Sequence, residues 1–214
     1  MRANPYEDRE PQTSTNTRIL NAAARLFYRR GIRVVSVDEV AAEASVTKVT
    51  VYKHYRAKDE LIAASLHALD ERFFSWFVHE VEASTDDPRG RLLAVFDVLD
   101  LWFRRRDFRG CAFINATVEL ASPRHPAGAA VMAHKTRCRQ YFRALAEAAG
   151  SEDPDLISDQ WMLLTEGATI TALVEGDLTA ARKARAGADA ILQGLQAAAL
   201  TIECAAQRPA NCTG

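Results

Sequence analysis

Apolar residues recur along most of the chain at spacings of three and four, the period of a helix with one buried face. Ile19, Ala22, Ala23, Leu26 and Phe27 form the first such stripe, with Thr15 or Asn16 placed to cap it and Gly31 to end it. Ser36-Val37-Asp38-Glu39 has the form of a capping box, in which a hydroxyl and a carboxylate three residues on each satisfy an orphan amide. It opens a short second helix over 37–44, and Thr47 is placed to cap a third over 48–55. A long fourth helix is predicted from Lys58 to about Ala83. Asp86-Asp87-Pro88 starts a fifth that ends at Arg104-Arg105-Arg106. A short apolar segment over 111–121 follows, then breaks at Ser122-Pro123 and Pro126. Further helices are expected over 126–149, from Asp153-Pro154 to Gly176, and from a Thr179 cap to about Cys204. No β alternation is longer than Arg33–Val37, and no segment repeats. The expected fold is all-α with about nine helices.

Residues 37–55 have the length of two short helices joined by a tight turn. Val40 and Ala41 are predicted to face inward, Val46 to plug the turn, and Val51 and Tyr55 to pack the second helix onto the head. That leaves Thr47, Lys48, Val49, Thr50, Tyr52, Lys53 and His54 outward. Such residues donate to phosphates or touch base edges and thymine methyls in a major groove wide enough for one helix.

Four elements in order carry a resemblance. They are the helix-1 pattern Ile19-Leu20-Asn21-Ala22-Ala23 through Leu26-Phe27 to Gly31, then Ser36-Val37-Asp38-Glu39-Val40-Ala41. Thr47-Lys48-Val49-Thr50-Val51-Tyr52-Lys53-His54-Tyr55 and Lys58-Asp59-Glu60-Leu61 follow. Together, residues 15–65 resemble the DNA-binding head of the TetR/AcrR family of repressors. The resemblance implies a helix-turn-helix head over 15–62 and a helical ligand-binding and dimerisation domain over 63–214, with 1–14 a disordered arm. It implies phosphate and positioning contacts for Thr50, Tyr52, His54 and Lys58, a phosphate donor in Ser36, and base-edge or groove contacts for Lys48, Val49 and Lys53. It also implies a homodimer on double-stranded operator DNA, released by a small-molecule inducer. Two positions depart from the family pattern: Ser45 stands where members usually carry Gly, and Val49 where many carry a small residue. The rival reading keeps the fold but replaces the inducer by a protein partner or by thiol oxidation.

Charge sharpens the division. Residues 15–62 hold nine Lys or Arg against five acids, net +4, whereas 63–214 hold sixteen against twenty, net −4. A basic head on an acidic body suits a polyanion-binding module joined to something else. No segment reaches the roughly 18 consecutive apolar residues of a membrane span, and residues 1–16 lack the apolar core of a signal peptide. A cytoplasmic protein without membrane contact is expected. No glycine-rich phosphate loop, GxSxG, HExxH or paired carboxylates appear, so no enzymatic activity and no cofactor are expected. Cys111, Cys138, Cys204 and Cys212 have no metal-type spacing and are expected to be free thiols. Glu119, His125 and His134 match no metal motif either.

The body is rich in aromatic residues. Phe73, Phe77, Trp102, Phe113 and Trp161 are candidates to fill the core or line a cavity, as are Phe74, Tyr141, Phe142 and Met162. Asn115, Glu119, His134 and Glu166 interrupt apolar surfaces and are the polar candidates to orient a ligand, with Thr169 also breaking such a surface. The two carboxylates favour a cationic or hydroxylated aromatic ligand. Small residues on the last two helices, Gly167, Ala168, Thr171 and Ala172, then Gly194 and Ala198, permit close helix approach, with Ile191 and Leu195 between. In relatives these two helices form a four-helix dimer bundle.

Overall fold

The computed structural model describes residues 14–120 and 125–206, with the backbone alone for 195–206. Among these residues all regular structure is helical, in nine elements: α1 (Thr15–Arg30), α2 (Val37–Glu43), α3 (Lys48–His54), α4 (Lys58–Ser84), α5 (Pro88–Phe103), α6 (Ala112–Leu120), α7 (Ala127–Ala148), α8 (Pro154–Glu175) and α9 (Ala180–Ala206). The arm over 1–13 and the break at 121–124 lie outside the described residues.

The caps explain most boundaries. Ser14, one residue before the expected cap, accepts from Thr17 N at 3.1 Å and starts α1. Asn16 is spent elsewhere, since its Oδ1 accepts from the Tyr55 hydroxyl at 2.5 Å and ties α1 to the end of α3. Gly31 adopts φ 95°, a left-handed value open to glycine, and its N–H closes on the Phe27 carbonyl. Helix α5 stops at Phe103 rather than at the arginine run. Arg104 turns back on Asp100 at 2.6 Å, and Arg105 bonds Asp107 at 3.2 Å within the following turn.

The long α4 connects the two parts of the molecule. Its buried side, Leu61, Ile62, Leu66, Leu69, Asp70, Phe73, Phe77 and Val81, keeps the helical spacing for more than five turns. The helix packs on α1 and, in the body, on α5 and α7. Behind it, α5 packs on α7, α8 and α9, and α8 packs on α7 and α9. Trp161 sits at the centre of that core, its indole donating to the Leu92 carbonyl at 2.8 Å and its ring 5.8 Å from Phe96. It is therefore a core residue with its polar atom satisfied, not a ligand contact.

Candidate nucleic-acid interface and effector cavity

The head is built as two short helices around one strained turn. Val40, Ala41, Val51 and Tyr55 are buried and Val46 is half-buried, so the predicted inward set is realised. Ser45 has φ +54°, the left-handed region that favours glycine. Its N–H donates to Ala42 O at 3.1 Å, and that of Val46 to Ala41 O at 2.9 Å, which turns the chain into α3.

On α3 the outward face carries Val49, 66% exposed, and Tyr52, 42% exposed, with Lys48, Lys53 and His54 exposed beside them. Thr47 caps the helix, accepting from Thr50 N at 3.2 Å, and its hydroxyl bonds that of Thr50 at 2.9 Å. Lys48 is held over α2 by Asp38 at 2.8 Å, an ion pair that raises its pKa.

Two residues expected at phosphates are engaged inside the protein. The Ser36 hydroxyl accepts from Glu39 N at 3.2 Å and donates to the Glu39 carboxylate at 2.9 Å. Both halves of the capping box are formed, so its only proton is taken. The Ser36 N–H, which donates to the same carboxylate at 2.8 Å, together with the Ser36 hydroxyl and Arg30 at 2.7 Å, holds Glu39 down to a pKa of about 2. Lys58 donates to the Ile32 carbonyl at 2.7 Å and lies 5.9 Å from the Phe27 ring centre. Its ammonium anchors the loop after α1 to α4.

The body contains a cavity of about 60 Å³ between α4, α5, α6, α7 and α8. Among the expected ligand residues Phe73, Phe77, Trp102, His134 and Glu166 line it. Phe113 stands behind, stacked on the His134 ring at 3.7 Å. Asn115 and Glu119 do not reach it. Asn115 donates to the Arg109 carbonyl at 2.8 Å, and Glu119 points to the head, accepting from Arg33 N at 3.0 Å beside Gly31. Glu119, His125 and His134 are also held apart by separate partners, Arg33, Asp59 and Asp70.

The polar lining reverses the expected electrostatics. Glu166 is neutralised by Lys135 at 2.8 Å. His134 Nδ1 meets Asp70 Oδ1 at 2.6 Å, and Arg137 donates to the other Asp70 oxygen at 3.0 Å. Burial opposes charge on His134. The bond to Asp70 and further ones to Cys111 and Cys138 outweigh it, raising the imidazole from 6.5 to about 11. His134 is thus a buried imidazolium, and the two-carboxylate preference for a cationic ligand does not hold. Tyr141 also lines this space, and among the described residues its buried hydroxyl has no hydrogen-bond partner.

Cys111, Lys135 and Cys138 are lining residues the sequence reading passed over. A signal existed for one of them, because His134 and Cys138 are four apart and share a face of α7. Cys111 comes from the loop before α6, so only the tertiary fold brings it there. Burial pushes its thiol up, but the hydrogen bond to His134 and the nearby Lys135 charge pull it down from 9.0 to about 7.

Cavity and head are joined by direct contacts. The Tyr28 hydroxyl on α1 donates to the Gly110 carbonyl at 3.1 Å and accepts from Arg109 N at 2.9 Å. At the other end of α6, Glu119 holds Arg33. Both ends of this short helix therefore grip the head, while Cys111 and Ile114 near its start face the cavity.

On the helix expected to form a dimer seam, α8 presents Leu156, Leu163, Gly167, Ile170 and Val174 outward, spaced seven, four, three and four, with Leu163 72% and Val174 74% exposed. Gly167 and Gly194 are exposed with no atom near a would-be Cβ, whereas Thr171 and Ile191 are half-buried. The side chains of Leu195, Ala198 and Cys204 lie outside the described residues, as does Cys212.

A strained two-helix turn presenting an exposed third helix on an otherwise helical body is the architecture of a helix-turn-helix DNA-binding regulator. The family described as "Bacterial regulatory proteins, tetR family" matches residues 19–65. A TetR-family transcriptional regulator from Streptomyces coelicolor is 30% identical, with a TM-score of 0.74 over 85% of this chain and 95% of that one. A tetR-type regulator from Streptomyces avermitilis is 31% identical, with a TM-score of 0.70 over 83% of this chain and 99% of its own. The HTH-type transcriptional regulator TtgR of Pseudomonas putida is 30% identical over 128 residues, 56% of this chain and 61% of that protein. The match thus spans about three fifths of that relative's length. The chain belongs to the TetR family of transcriptional regulators. Among its described residues no helix is long and apolar enough to cross a membrane.

Proposed function

We propose that the protein is a repressor that binds a two-fold operator as a homodimer and releases it when a small molecule occupies the cavity. The observation that carries this reading is the unbroken contact from the cavity lining through α6 to Tyr28 and Arg33 of the head. Residues 15–62 act as the DNA-binding unit and 63–214 as the effector and dimerisation unit. Tyr52, Thr50 and His54 position the backbone, while Lys48, Val49 and Lys53 meet base edges. Ser36 and Lys58 are assigned to holding the head together, because their polar atoms are already engaged. The apolar stripe of α8, continued by α9, is the dimer seam.

The ligand is small, mostly aromatic, and neutral or singly anionic. It lies among Phe73, Phe77 and Trp102, with Tyr141 and Lys135 offering hydrogen bonds. At about 60 Å³ the cavity is smaller than the roughly 150 Å³ void that admits benzene. Occupancy therefore requires α6 or α7 to shift, and such a shift pulls on Tyr28 and Arg33. The favoured population moves from the DNA-bound form by that differential affinity.

The test is selection of binding sites by the full chain from a random duplex library, followed by affinity measurement with a panel of small aromatic compounds. A palindromic consensus, and 5- to 150-fold weaker binding with a hit, is the expected range. Glu119→Gln should reduce that fold-change while leaving ligand affinity intact. A consensus without two-fold symmetry would refute the operator reading. A hit that binds the cavity and leaves operator affinity unchanged would refute the coupling.

A further inference from the structure

The effector cavity contains a nucleophile that reversible ligand binding does not use. Cys111 and Cys138 both line it. His134 Nε2 lies 3.6 Å from the Cys138 sulfur, and His134 and Cys111 line the same space. Lys135 adds a second, largely buried cation from the next position on α7. The carboxylates around them are already engaged, Asp70 by His134 and Arg137, and Glu166 by Lys135. What faces the thiols is positive charge inside an aromatic wall. Tyr141, whose hydroxyl has no hydrogen-bond partner among the described residues, lines the same space.

From this arrangement we propose that Cys111 covalently captures α,β-unsaturated carbonyl compounds small enough for the cavity. The proposal rests on the effector reading above and names a ligand class for that same site. In the step, a lone pair of the Cys111 thiolate forms a C–S bond to the β-carbon. The π pair of the C=C bond moves to the enolate oxygen, which the flanking cations stabilise. The enolate then takes a proton from the Lys135 ammonium or the His134 imidazolium, and water restores it. One thiol and one alkene become one thioether, with no oxidant or reductant consumed.

The thiolate is abundant at neutral pH. Lowering the thiol from 9.0 to about 7 raises the thiolate fraction at pH 7 from about 1% to about 50%. Each thiolate becomes about eightfold less nucleophilic, leaving a net gain of roughly sixfold. Position gives the adduct leverage. The Cys111 carbonyl accepts from Asn115 N at 3.0 Å and opens α6. The preceding Gly110 carries the carbonyl held by Tyr28 and lies against Leu173, so that a Cβ there would fall 2.7 Å from it. A group of several atoms on Cys111 cannot be housed without moving the start of α6, and with it the grip on the head.

The experiment treats the full chain with methyl vinyl ketone and follows intact mass and peptide maps. A single adduct on Cys111 is expected in the wild type and in Cys138→Ser, with none in Cys111→Ser at the same exposure. The rate should rise with a midpoint near pH 7, and Lys135→Met should move that midpoint upward in a protein that stays folded. Adducts on Cys138, Cys204 or Cys212 with Cys111 unmodified would overturn the proposal, and so would a Cys111 midpoint in the ordinary thiol range. Mass detection needs no DNA, so the two readings fail separately. An adduct on Cys111 that leaves operator affinity unchanged supports covalent capture and refutes the coupling. Ligand-dependent DNA release with Cys111 inert refutes the capture alone.

Discussion

Replacing Asp70 by Asn removes one charge from a buried pair while keeping its size. Asp70 is 8% exposed and His134 4%, and they meet at 2.6 Å. Breaking such a pair from one side costs about 3–5 kcal/mol, because the partner charge is left without compensation. The pH dependence is more diagnostic. In the wild type His134 keeps its proton up to about 11, above the 6.5 of an unfolded imidazole. Its contribution is fully present below 6.5 and is lost only as pH rises through about 11, so it is constant between pH 5 and 6.5. Cys111 does not disturb that window. Its lowered thiol contributes above the unfolded 9.0, and that contribution is lost as pH falls through about 7. In Asp70→Asn the balance tips toward burial, and the imidazole falls below 6.5. The unfolded state then binds more protons, and stability drops by about 1.4 kcal/mol per pH unit below 6.5, roughly 2 kcal/mol by pH 5. Urea unfolding at fixed protein concentration, at several pH values from 5 to 6.5, measures both effects. Parallel curves for the two proteins, or a loss under about 1 kcal/mol, would refute the buried imidazolium.

Three further outcomes follow from the same geometry. Ser45→Gly relieves a left-handed backbone and should stabilise the head by about 1 kcal/mol in urea unfolding; no gain would mean that the turn holds no strain. Lys58→Met should cost about 1 kcal/mol of stability by leaving the Ile32 carbonyl unpaired, without altering the salt dependence of DNA binding. Lys48→Ala should instead change preference at one base pair, and library-wide binding profiles that assign these two roles the other way round would reverse the assignment. Gly167→Arg should yield folded monomers at micromolar concentration, since that exposed position has free space in the protomer; a sedimentation profile that stays dimeric would move the seam elsewhere.

Much of this molecule was legible in one dimension. Spacings of three and four, the Ser36–Glu39 capping box and the prolines at the starts of α5 and α8 are local signals, and local signals define helices. The exposed set on α3 follows from the same periodicity, whereas the unusual turn at Ser45, with φ +54°, was signalled only by the departure from the family pattern. What failed were statements about where polar groups find partners. Asn115 and Glu119 lie on α6 as expected, yet the first bonds the Arg109 carbonyl before the helix and the second reaches the head, so neither enters the cavity. Lys58 looks free in sequence but is engaged by the Ile32 carbonyl, 26 residues away. Asp70 and His134 are 64 residues apart, and Cys111 joins them from a third element. The sequence by itself determined the helices and the exposed face of α3, because both depend on neighbours within a few positions. Only the tertiary structure decided the cavity and its charge, because hydrogen bonding and burial depend on residues that the chain brings together from afar.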